Sequence, residues 1–313
     1  MTSLVFMGTP AFSVPILRML SEEGYNILAV VTQPDRPVGR KKILTPTPVK
    51  EEALRLGLRV IQPEKLKGST ELEEIIALQA DIIITAAFGQ LLPVELLNAP
   101  PHGCLNVHAS LLPAYRGGAP IHQAVIDGQT ETGVTIMYMA EKLDAGDIIT
   151  QKSIPIEHAD TTGILFDKLS IVGRDLLKES LPLILEKKHE RITQDEFKVT
   201  FARNISREQE RIDWSKSASD IYNQVRGLHP WPVAYTTLDG QTVKIWWGQK
   251  GKMTSTQPVG SVVRLTADRI VVQTGKEETF EIFELQPSGK KKMSAEEFLR
   301  GTGSKLQIGD QFL

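Results

Sequence analysis

The chain has 313 residues, 41% of them hydrophobic and 24% charged, which is enough apolar material for two domains with buried cores. Its formal net charge of −2 excludes a general attraction to nucleic acid or membrane, so a polyanion would have to bind a local basic patch. A single cysteine, Cys104, excludes an internal disulfide, and no signal-like start or apolar run of about 18 residues is present, so we expect a cytoplasmic protein without membrane contact.

Short β-rich runs alternate with amphipathic helical patterns in the first half of the chain. Continuous apolar strands separated by such helices are typical of a mostly parallel sheet covered on both faces, so the pattern predicts a Rossmann-like doubly wound α/β domain. A long helix is predicted over 161–188, with a kink at Pro182 because proline lacks a backbone donor. Strands are predicted within 3–7, 26–32, 58–62, 81–87, 103–108 and 132–139, and helices within 14–24, 48–57 and 67–80.

After this helix the chain becomes polar and loses its periodicity, as an interdomain linker does. We place the linker at 190–206, between a domain over 1–189 and a smaller one over 207–313. Beyond a helical pattern at 217–228, short strand-like runs separated by Gly, Asp and Lys predict a small β-barrel or sandwich. The runs lie within 234–238, 241–249, 260–265, 269–274 and 278–285.

Two polar side chains end the predicted strand at "NVH". Asn106 and His108 face the same side of the strand, and ligands collect at the carboxyl ends of strands in open α/β sheets. A histidine exchanges a proton near neutral pH, and an amide donor can stabilise an oxyanion by ~3 kcal/mol. The next strand ends at "MAEKLDAGDIIT", where Glu141, Asp144 and Asp147 could orient the imidazole, and we choose Asp144. The three groups predict an acyl-transfer site.

Each of these residues also has a structural interpretation. A single histidine at a strand end is more often a hydrogen-bonding residue than a catalyst, and the acidic loop alone could be a solvated turn. Cys104 lies in an apolar run, where a thiol is inert, so it is not favoured as a nucleophile. No C-x-x-C or H-E-x-x-H spacing occurs, so no metal site is predicted. "FMGTPAF" has one of the three glycines of a dinucleotide fingerprint, which argues against NAD.

Four segments carry a resemblance to a known family: "FMGTPAFSVPIL", "AFGQLLP", "NVHASLLPAYRGGAPIHQAVIDG" and "KLDAGDII". Together they resemble the 10-formyltetrahydrofolate-dependent formyltransferases and hydrolases, over essentially the whole chain. The resemblance implies that Asn106, His108 and Asp144 form the catalytic trio, that 10-formyltetrahydrofolate is the formyl donor, and that neither a metal nor a covalent enzyme intermediate takes part. It also implies that 1–189 is the catalytic domain and that 207–313 is an OB-like β-barrel.

The resemblance further places the folate pterin between two loops. Backbone groups of Phe88, Gly89 and Leu91 would bind its pyrimidine edge, opposite the loop around 139–144. The S-L-L-P segment would shape the neighbouring wall, and its residues are Ser110, Leu111, Leu112 and Pro113. Read without the resemblance, "AFGQLLP" is a strand-to-helix turn in which the glycine eases the bend. For Arg116, loop support and ligand contact both stay open.

A Pro-rich basic segment after the second strand bears on the acceptor substrate. It is longer than a connection between strand and helix requires, and it carries Arg36, Arg40, Lys41 and Lys42 with only Asp35 opposing them. The resemblance implies that this loop contacts the acceptor end of initiator tRNA and that the α-amino group of its esterified methionine is formylated for translation initiation. A solvated surface flap is the alternative. Residues 207–313 would then be the tRNA-binding domain of a monomer.

Two other functions stay open at this point. A folate-dependent formyltransferase acting on a small amine, such as an amino sugar or a purine-pathway amine, would need neither the basic loop nor the barrel. A noncatalytic nucleic-acid-binding module would leave the trio without a task. Because OB surfaces commonly bind polynucleotides, the barrel favours an RNA substrate.

Overall fold

Contacts within the chain divide it into two units. The computed structural model describes residues 2–39 and 41–313. The first unit comprises the residues up to Pro120, Glu131–Pro155 and Phe166–Arg203. The second comprises Ile121–Thr130, Ile156–Leu165 and Asn204–Leu313. The last change of unit along the chain therefore falls within 190–206.

The strands of the first unit are β1 (Ser3–Gly8), β2 (Asn26–Val31), β3 (Arg36–Val38), β4 (Ile43–Thr45), β5 (Val60–Ile61), β6 (Ile82–Ala86), β7 (Cys104–His108), β8 (Glu131–Tyr138) and β9 (Ile148–Pro155). Seven of them form one sheet in the order β5-β2-β1-β6-β7-β8-β9, and β3 pairs with β4 as a separate hairpin. The strand pairs from β5 to β7 are parallel, whereas β8 is antiparallel to both of its neighbours. All five residues of β6 are buried, as expected for a strand with both faces covered.

Two helices of the first unit start at side-chain caps. Thr47 accepts a hydrogen bond from the backbone amide of Lys50, and Pro48 stands at the first helical position, where its missing N–H costs nothing. Ser69 caps the next helix in the same way. The helices are α1 (Val14–Glu22), α2 (Pro48–Arg55), α3 (Thr70–Ala77), α4 (Val94–Leu97), α5 (Pro120–Ile126) and α6 (Thr162–Leu185), with a 3₁₀ turn at Ala11–Ser13. The helix α6 includes Pro182 near its end.

The strand order reverses direction at β1. β2 and β5 follow on one side of it, and β6 and β7 on the other. At such a switch point the connections leave the sheet in opposite directions, which opens a crevice at the carboxyl ends of the strands. The fold therefore predicts a ligand site beside the ends of β1, β6 and β7.

The second unit is an antiparallel sheet that curls into a half-barrel. Its helices and strands are α7 (Arg207–Glu210), α8 (Ala218–Gly227), β10 (Tyr235–Leu238), β11 (Gln241–Lys250), β12 (Val262–Leu265), β13 (Ile270–Gln273), β14 (Thr279–Pro287), β15 (Met293–Ser294) and α9 (Ala295–Arg300). The sheet runs β10-β11-β14-β13-β12, and β15 pairs with β14. The last residues of the chain form bridges near both edge strands, because Phe312 pairs with Leu238 and Gln311 with Ser261. The ring of Phe312 is buried in this unit's core.

The predicted fold class is confirmed: a Rossmann-like, mostly parallel α/β unit is followed by an antiparallel OB-like unit. The short elements α4, α5, α7, β15 and α9 were not predicted. Nor were β9, the β3–β4 hairpin and the bridges made by Gln311 and Phe312. Each of the last three depends on contacts between distant or exposed residues, which periodicity does not register. None of the helices in the described part of the chain has the length and apolar character that crossing a bilayer requires.

Candidate active site

Asn106 and His108 lie on β7, at the carboxyl edge of the sheet. Their neighbours across the strands are Thr85 on β6, opposite Asn106, and Thr135 on β8, opposite His108. Because alternate residues share a face, the two side chains are on one side of the strand and Val107 is buried on the other. The strand thus brings an amide and an imidazole to the same edge.

The ring of His108 lies between two oxygen acceptors. Its Nδ1 is 3.7 Å from Oδ2 of Asp144, and its Nε2 is 3.1 Å from the carbonyl oxygen of Tyr115. The residue is only 5% exposed. At 3.7 Å the contact with the carboxylate is too long for a direct hydrogen bond, but it is an ion pair when the ring is protonated. A carbonyl oxygen can only accept, so Nε2 carries a proton and donates it to Tyr115, while the carboxylate of Asp144 faces Nδ1.

Asp144 lies in the loop between β8 and β9. Its Oδ2 accepts a hydrogen bond of 2.8 Å from the backbone amide of Gly117, and its side chain is 12% exposed. The residue has φ 47°, in the left-handed region, where a side chain costs roughly 1 kcal/mol. Two residues later, a Cβ at Gly146 would collide with the carbonyl oxygen of Tyr138. The loop therefore needs tight contacts to keep the carboxylate at His108.

The amide of Asn106 is oriented by Thr85. The Thr85 hydroxyl donates to Oδ1 of Asn106 at 2.9 Å, and it lies at the same distance from the carbonyl oxygen of Leu105. With Oδ1 placed against a hydroxyl, the Nδ2 group is the donor that remains to bind a ligand. An oriented amide donor and an imidazole at one edge can together stabilise negative charge on an oxygen.

Three loops at this edge each contain a non-glycine residue with positive φ. They are Ala87 after β6, Tyr115 after β7 and Asp144 after β8, with φ of 48°, 62° and 47°. Such conformations persist only where the surroundings hold them, and they are frequent at functional sites. Three of the positive-φ residues of the first unit therefore lie in the loops at this edge.

Phe88, Gly89 and Leu91 follow β6, next to the switch point. The carbonyl oxygen of Phe88 accepts hydrogen bonds from Thr9 Oγ1 (2.9 Å) and Gln33 Nε2 (3.2 Å). Both of its lone pairs therefore already have partners within the protein. No described residue accepts a hydrogen bond from the amides of Gly89 and Leu91, which leaves two donors for a ligand. Gly89 has φ 89°, a conformation that favours glycine.

The S-L-L-P segment, Ser110, Leu111, Leu112 and Pro113, is fastened to the sheet. Thr135 Oγ1 donates to the carbonyl of Ser110 (2.6 Å) and accepts from the amide of Leu112 (3.1 Å). Gln151 Nε2 donates to the carbonyl of Leu112 at 2.8 Å. Because these polar groups already have partners inside the protein, the segment can shape a wall through its apolar surface but has few backbone groups to offer a ligand.

A cavity of about 800 Å³ opens beside the loop that follows β8. Met139, Ala140 and Glu141 of that loop line it, together with Leu97 and Cys104. Neither Asn106 nor His108 is among the described lining residues. Burial raises the pKa of the Cys104 thiol to about 12, so the thiol stays protonated at neutral pH. This agrees with the sequence argument against a cysteine nucleophile.

Tyr138, His189 and Arg191 also line the cavity, and Tyr138 contacts both of the others. The Tyr138 hydroxyl is 3.0 Å from Nε2 of His189, and the guanidinium of Arg191 lies 3.7 Å from the centre of the Tyr138 ring. Burial raises the pKa of Tyr138, and the charge of Arg191 opposes that shift. These three residues were not singled out from the sequence.

The described basic residues of the predicted tRNA loop are Arg36, Lys41 and Lys42, and they lie on the β3–β4 hairpin. Arg36 starts β3 and forms an exposed ion pair of 2.6 Å with Glu64. Lys41 and Lys42 are exposed in the turn, and Arg40 lies outside the described residues. Asp35, next to the hairpin, accepts hydrogen bonds from Lys50 (2.7 Å) and Gln62 (2.8 Å). These bonds hold the start of the hairpin in place. The hairpin side chains Val38, Ile43 and Leu44 are exposed.

Sequence reasoning missed the residues that hold the loops of the site. Gln194 contacts the loop of Asp144, and the backbone of Thr200 accepts from the amide of Arg116 at 2.9 Å, although both belong to the segment predicted as a linker. One signal was present: Arg116 is the only charged residue in the run "LLPAYRGGAP", and an arginine surrounded by apolar residues needs buried partners. No group of three or more His, Cys, Asp or Glu side chains within 2–39 and 41–313 is arranged to hold a metal ion.

Comparison with known families gives two matches along the chain. The family model described as "Formyl transferase" matches residues 1–181, and the one described as "Formyl transferase, C-terminal domain" matches residues 204–303. The chain is 68% identical over 312 residues to a methionyl-tRNA formyltransferase of Lysinibacillus sphaericus (strain C3-41), covering 100% of both chains. It is 59% identical over 309 residues to one of Bacillus thuringiensis (strain Al Hakam), covering 99% of this chain and 98% of the relative.

Solved structures share the fold at low identity. The N-formyltransferase of Helicobacter canadensis, solved with folinic acid and dTDP-3-aminofucose, has a TM-score of 0.69 at 19% identity, covering 92% of this chain and 100% of that one. HypX of Aquifex aeolicus, solved with tetrahydrofolic acid, has a TM-score of 0.66 at 16% identity, covering 99% of this chain and 48% of that one. At these identities the likeness concerns the fold alone.

Proposed function

This chain belongs to the formyl transferase family, and we propose that it transfers the formyl group of 10-formyltetrahydrofolate to the α-amino group of methionine on initiator tRNA, giving N-formylmethionyl-tRNA for translation initiation. The full-length relatives support the acceptor. The observation in the molecule that carries the proposal is the meeting of His108 and Asp144, 3.7 Å apart, at the sheet edge that also holds Asn106.

We assign catalysis to Asn106, His108 and Asp144. 10-Formyltetrahydrofolate supplies the formyl group on its N10, and the amine of the aminoacyl-tRNA adds to the formyl carbon. Nδ2 of Asn106 and a proton on His108 stabilise the charge that develops on the formyl oxygen. Asp144 faces Nδ1 of the ring, so Nε2 is the nitrogen that donates to the formyl oxygen. To do so, Nε2 gives up its contact with the carbonyl oxygen of Tyr115. The carbon–N10 bond then breaks as the proton lost by the amine passes to N10, which leaves atoms and charge balanced.

The folate would bind beside this trio. We assign its pyrimidine edge to backbone groups at Phe88, Gly89 and Leu91, where two amides have no acceptor among the described residues. Its wall would come from Ser110, Leu111, Leu112 and Pro113. A cavity of about 800 Å³, the size of a small-molecule site, shares the facing loop through Met139, Ala140 and Glu141, and none of the seven residues assigned to folate is among its described lining residues.

Phosphates of the tRNA would be met by Arg36, Arg40, Lys41 and Lys42. The three that the structure describes are exposed on one short hairpin. We assign tRNA binding also to the OB-like domain over 207–313, joined through 190–206 to the catalytic domain over 1–189. The reaction belongs to translation, so we place the enzyme in the cytoplasm, and we expect it to act as a monomer.

A formylation assay with competing acceptors tests the proposal. We expect kcat/KM for charged initiator tRNA to exceed that for a nucleotide-linked amino sugar or a glycinamide-type amine by about 10³-fold or more, since most of the binding surface would be unused by a small amine. Faster turnover of either small amine would overturn it. If the domain were only a nucleic-acid-binding module, His108→Ala would leave every measured activity unchanged; we expect it to lose turnover and keep folinic acid binding.

A further inference from the structure

Gln194 links the loop of Asp144 to a buried arginine. Its Nε2 donates to the carbonyl oxygens of Asp144 (2.8 Å) and Gly146 (2.7 Å). Its Oε1 accepts from Nε (3.1 Å) and a terminal nitrogen (2.8 Å) of Arg116. The amide therefore uses both donor protons and both acceptor lone pairs, and the residue is 6% exposed. A fully satisfied buried amide has a single favourable orientation.

Arg116 ties the same amide to the loop after β7. Its backbone amide and carbonyl pair with Thr200 and Ala202, and its side chain also reaches Glu196 at 3.0 Å. The residues on either side of Arg116 are the two that touch the catalytic groups. The carbonyl of Tyr115 contacts His108, and the amide of Gly117 contacts Asp144.

The contacts thus form a closed circuit around the ion pair. From Asp144 it passes through Gln194 and Arg116 to Gly117, and returns to the carboxylate of Asp144. Asp144 has φ 47°, a conformation that an isolated loop would leave. Gln194 donates a hydrogen bond to the backbone carbonyl of Asp144. This bond opposes a backbone rotation that would move the carboxylate away from His108.

We propose that Gln194 is a positioning residue for formyl transfer, which with Arg116 holds the backbone of Asp144 so that its carboxylate faces Nδ1 of His108. The inference rests on the proposed function, because it assumes that this pair of side chains acts in the reaction. It assigns Gln194 no contact with either substrate.

Gln194→Glu separates positioning from simple support of the fold. A glutamate keeps a partner for the buried guanidinium of Arg116, so the melting temperature should stay near that of the wild type. Its carboxylate cannot donate to the carbonyls of Asp144 and Gly146, so the grip on the loop is lost. We expect kcat at saturating substrates to fall about 10²-fold, with both KM values within about threefold, since a misplacement near 1 Å has this order of effect.

Gln194→Met is the second variant, measured well below its own melting temperature. It is close in size to glutamine and removes both the donors and the acceptor. We expect the same fall in kcat. If either folded variant keeps kcat within about threefold of the wild type, positioning by Gln194 is wrong.

Ser170→Ala is the control. The buried hydroxyl of Ser170 on α6 donates to the backbone carbonyl of Phe12 at 2.7 Å, and the residue is not assigned to catalysis or substrate binding. We expect a loss of stability with kcat unchanged. An equal loss of kcat in this control would overturn the inference. A wild-type enzyme that does not formylate methionyl-tRNA would instead contradict the proposed function, so the two failures are distinguishable.

Discussion

At the scale of single residues, Asp144 shows how one carboxylate is placed by backbone groups. It reaches His108 only because a left-handed residue, a glycine with no space for a Cβ and the amide of Gly117 occur together. The next carboxylate along, Asp147, instead lies against Arg191 and Thr193. Two acidic residues in one short loop therefore have different surroundings, and this supports our choice of Asp144 for the proposed trio.

Asp144→Asn tests that choice. The asparagine can still accept from the amide of Gly117, but it carries no charge to hold an imidazolium. We expect kcat to fall about 10²- to 10⁴-fold with folinic acid binding unchanged, measured by formylation assay and by the shift in melting temperature with ligand. Asp147→Asn is the control, and its kcat should stay within about threefold. Equal losses in the two variants would remove the special role of Asp144.

At the scale of elements, Glu52 on α2 joins two arginines. It is buried and binds Arg55 on its own helix and Arg18 on α1, both at 2.7 Å. Hydrogen bonds from Arg55 and then Arg18 lower the pKa of Glu52 from 4.5 to about 2. A depressed pKa in the folded state adds stability that is complete above about pH 4.5 and disappears as the pH falls towards 2.

Glu52→Gln should remove this part of the pH dependence. We expect the free energy of unfolding to drop by about 1 to 3 kcal/mol at pH 7, a figure reduced for the exposure of both arginines, and by nearly nothing at pH 2. Chemical denaturation at a series of pH values measures it. Glu51→Gln, an exposed change on the same helix, is the control. A difference from the wild type that is the same at every pH would contradict the assignment.

The β3–β4 hairpin is the element on which the acceptor assignment depends most. Lys41→Ala with Lys42→Ala removes two exposed charges from the turn without disturbing the ion pairs at its base. We expect KM for methionyl-tRNA to rise about tenfold and KM for the folate to change less than twofold, because phosphate contacts add affinity for the polyanion alone. The same removal of charge at Lys152 and Lys178, two exposed lysines outside the hairpin, should change neither KM. Equal changes in both KM values would count against the hairpin.

At the scale of the whole molecule, the net charge of −2 means that tRNA must be attracted by patches and not by the protein as a whole. Steady-state kinetics across salt concentrations test this. If about three phosphates are contacted, raising monovalent salt from about 50 to 200 mM should raise KM for tRNA roughly twenty- to fortyfold. The folate KM should change far less. A tRNA KM that does not respond to salt would argue against phosphate recognition.

Much of the fold could be predicted from the sequence, because it depends on local patterns. The apolar run of β6 and the Thr47 and Ser69 caps are visible in a few consecutive letters. Asn106 and His108 share a face by strand periodicity alone. Their partners could not be derived in this way, because Thr85, Tyr115 and Gln194 reach them through backbone turns and long-range contacts that have no period. The roles of the trio and of the folate and tRNA residues stay predictions that the experiments above address.

The stretch from Gln194 to Ala202 has a practical consequence for dividing the gene. The first family match ends at residue 181, and the predicted domain limit is 189. A boundary at either position would remove the residues that contact the loops of Arg116 and Asp144, while keeping every proposed catalytic side chain. Such a truncated protein would contain Asn106, His108 and Asp144 but would lack the contacts that hold the loop of Asp144 in place. Any boundary should therefore lie after Arg203, and chimaeras between relatives should inherit this stretch from the parent that supplies Arg116 and Asp144.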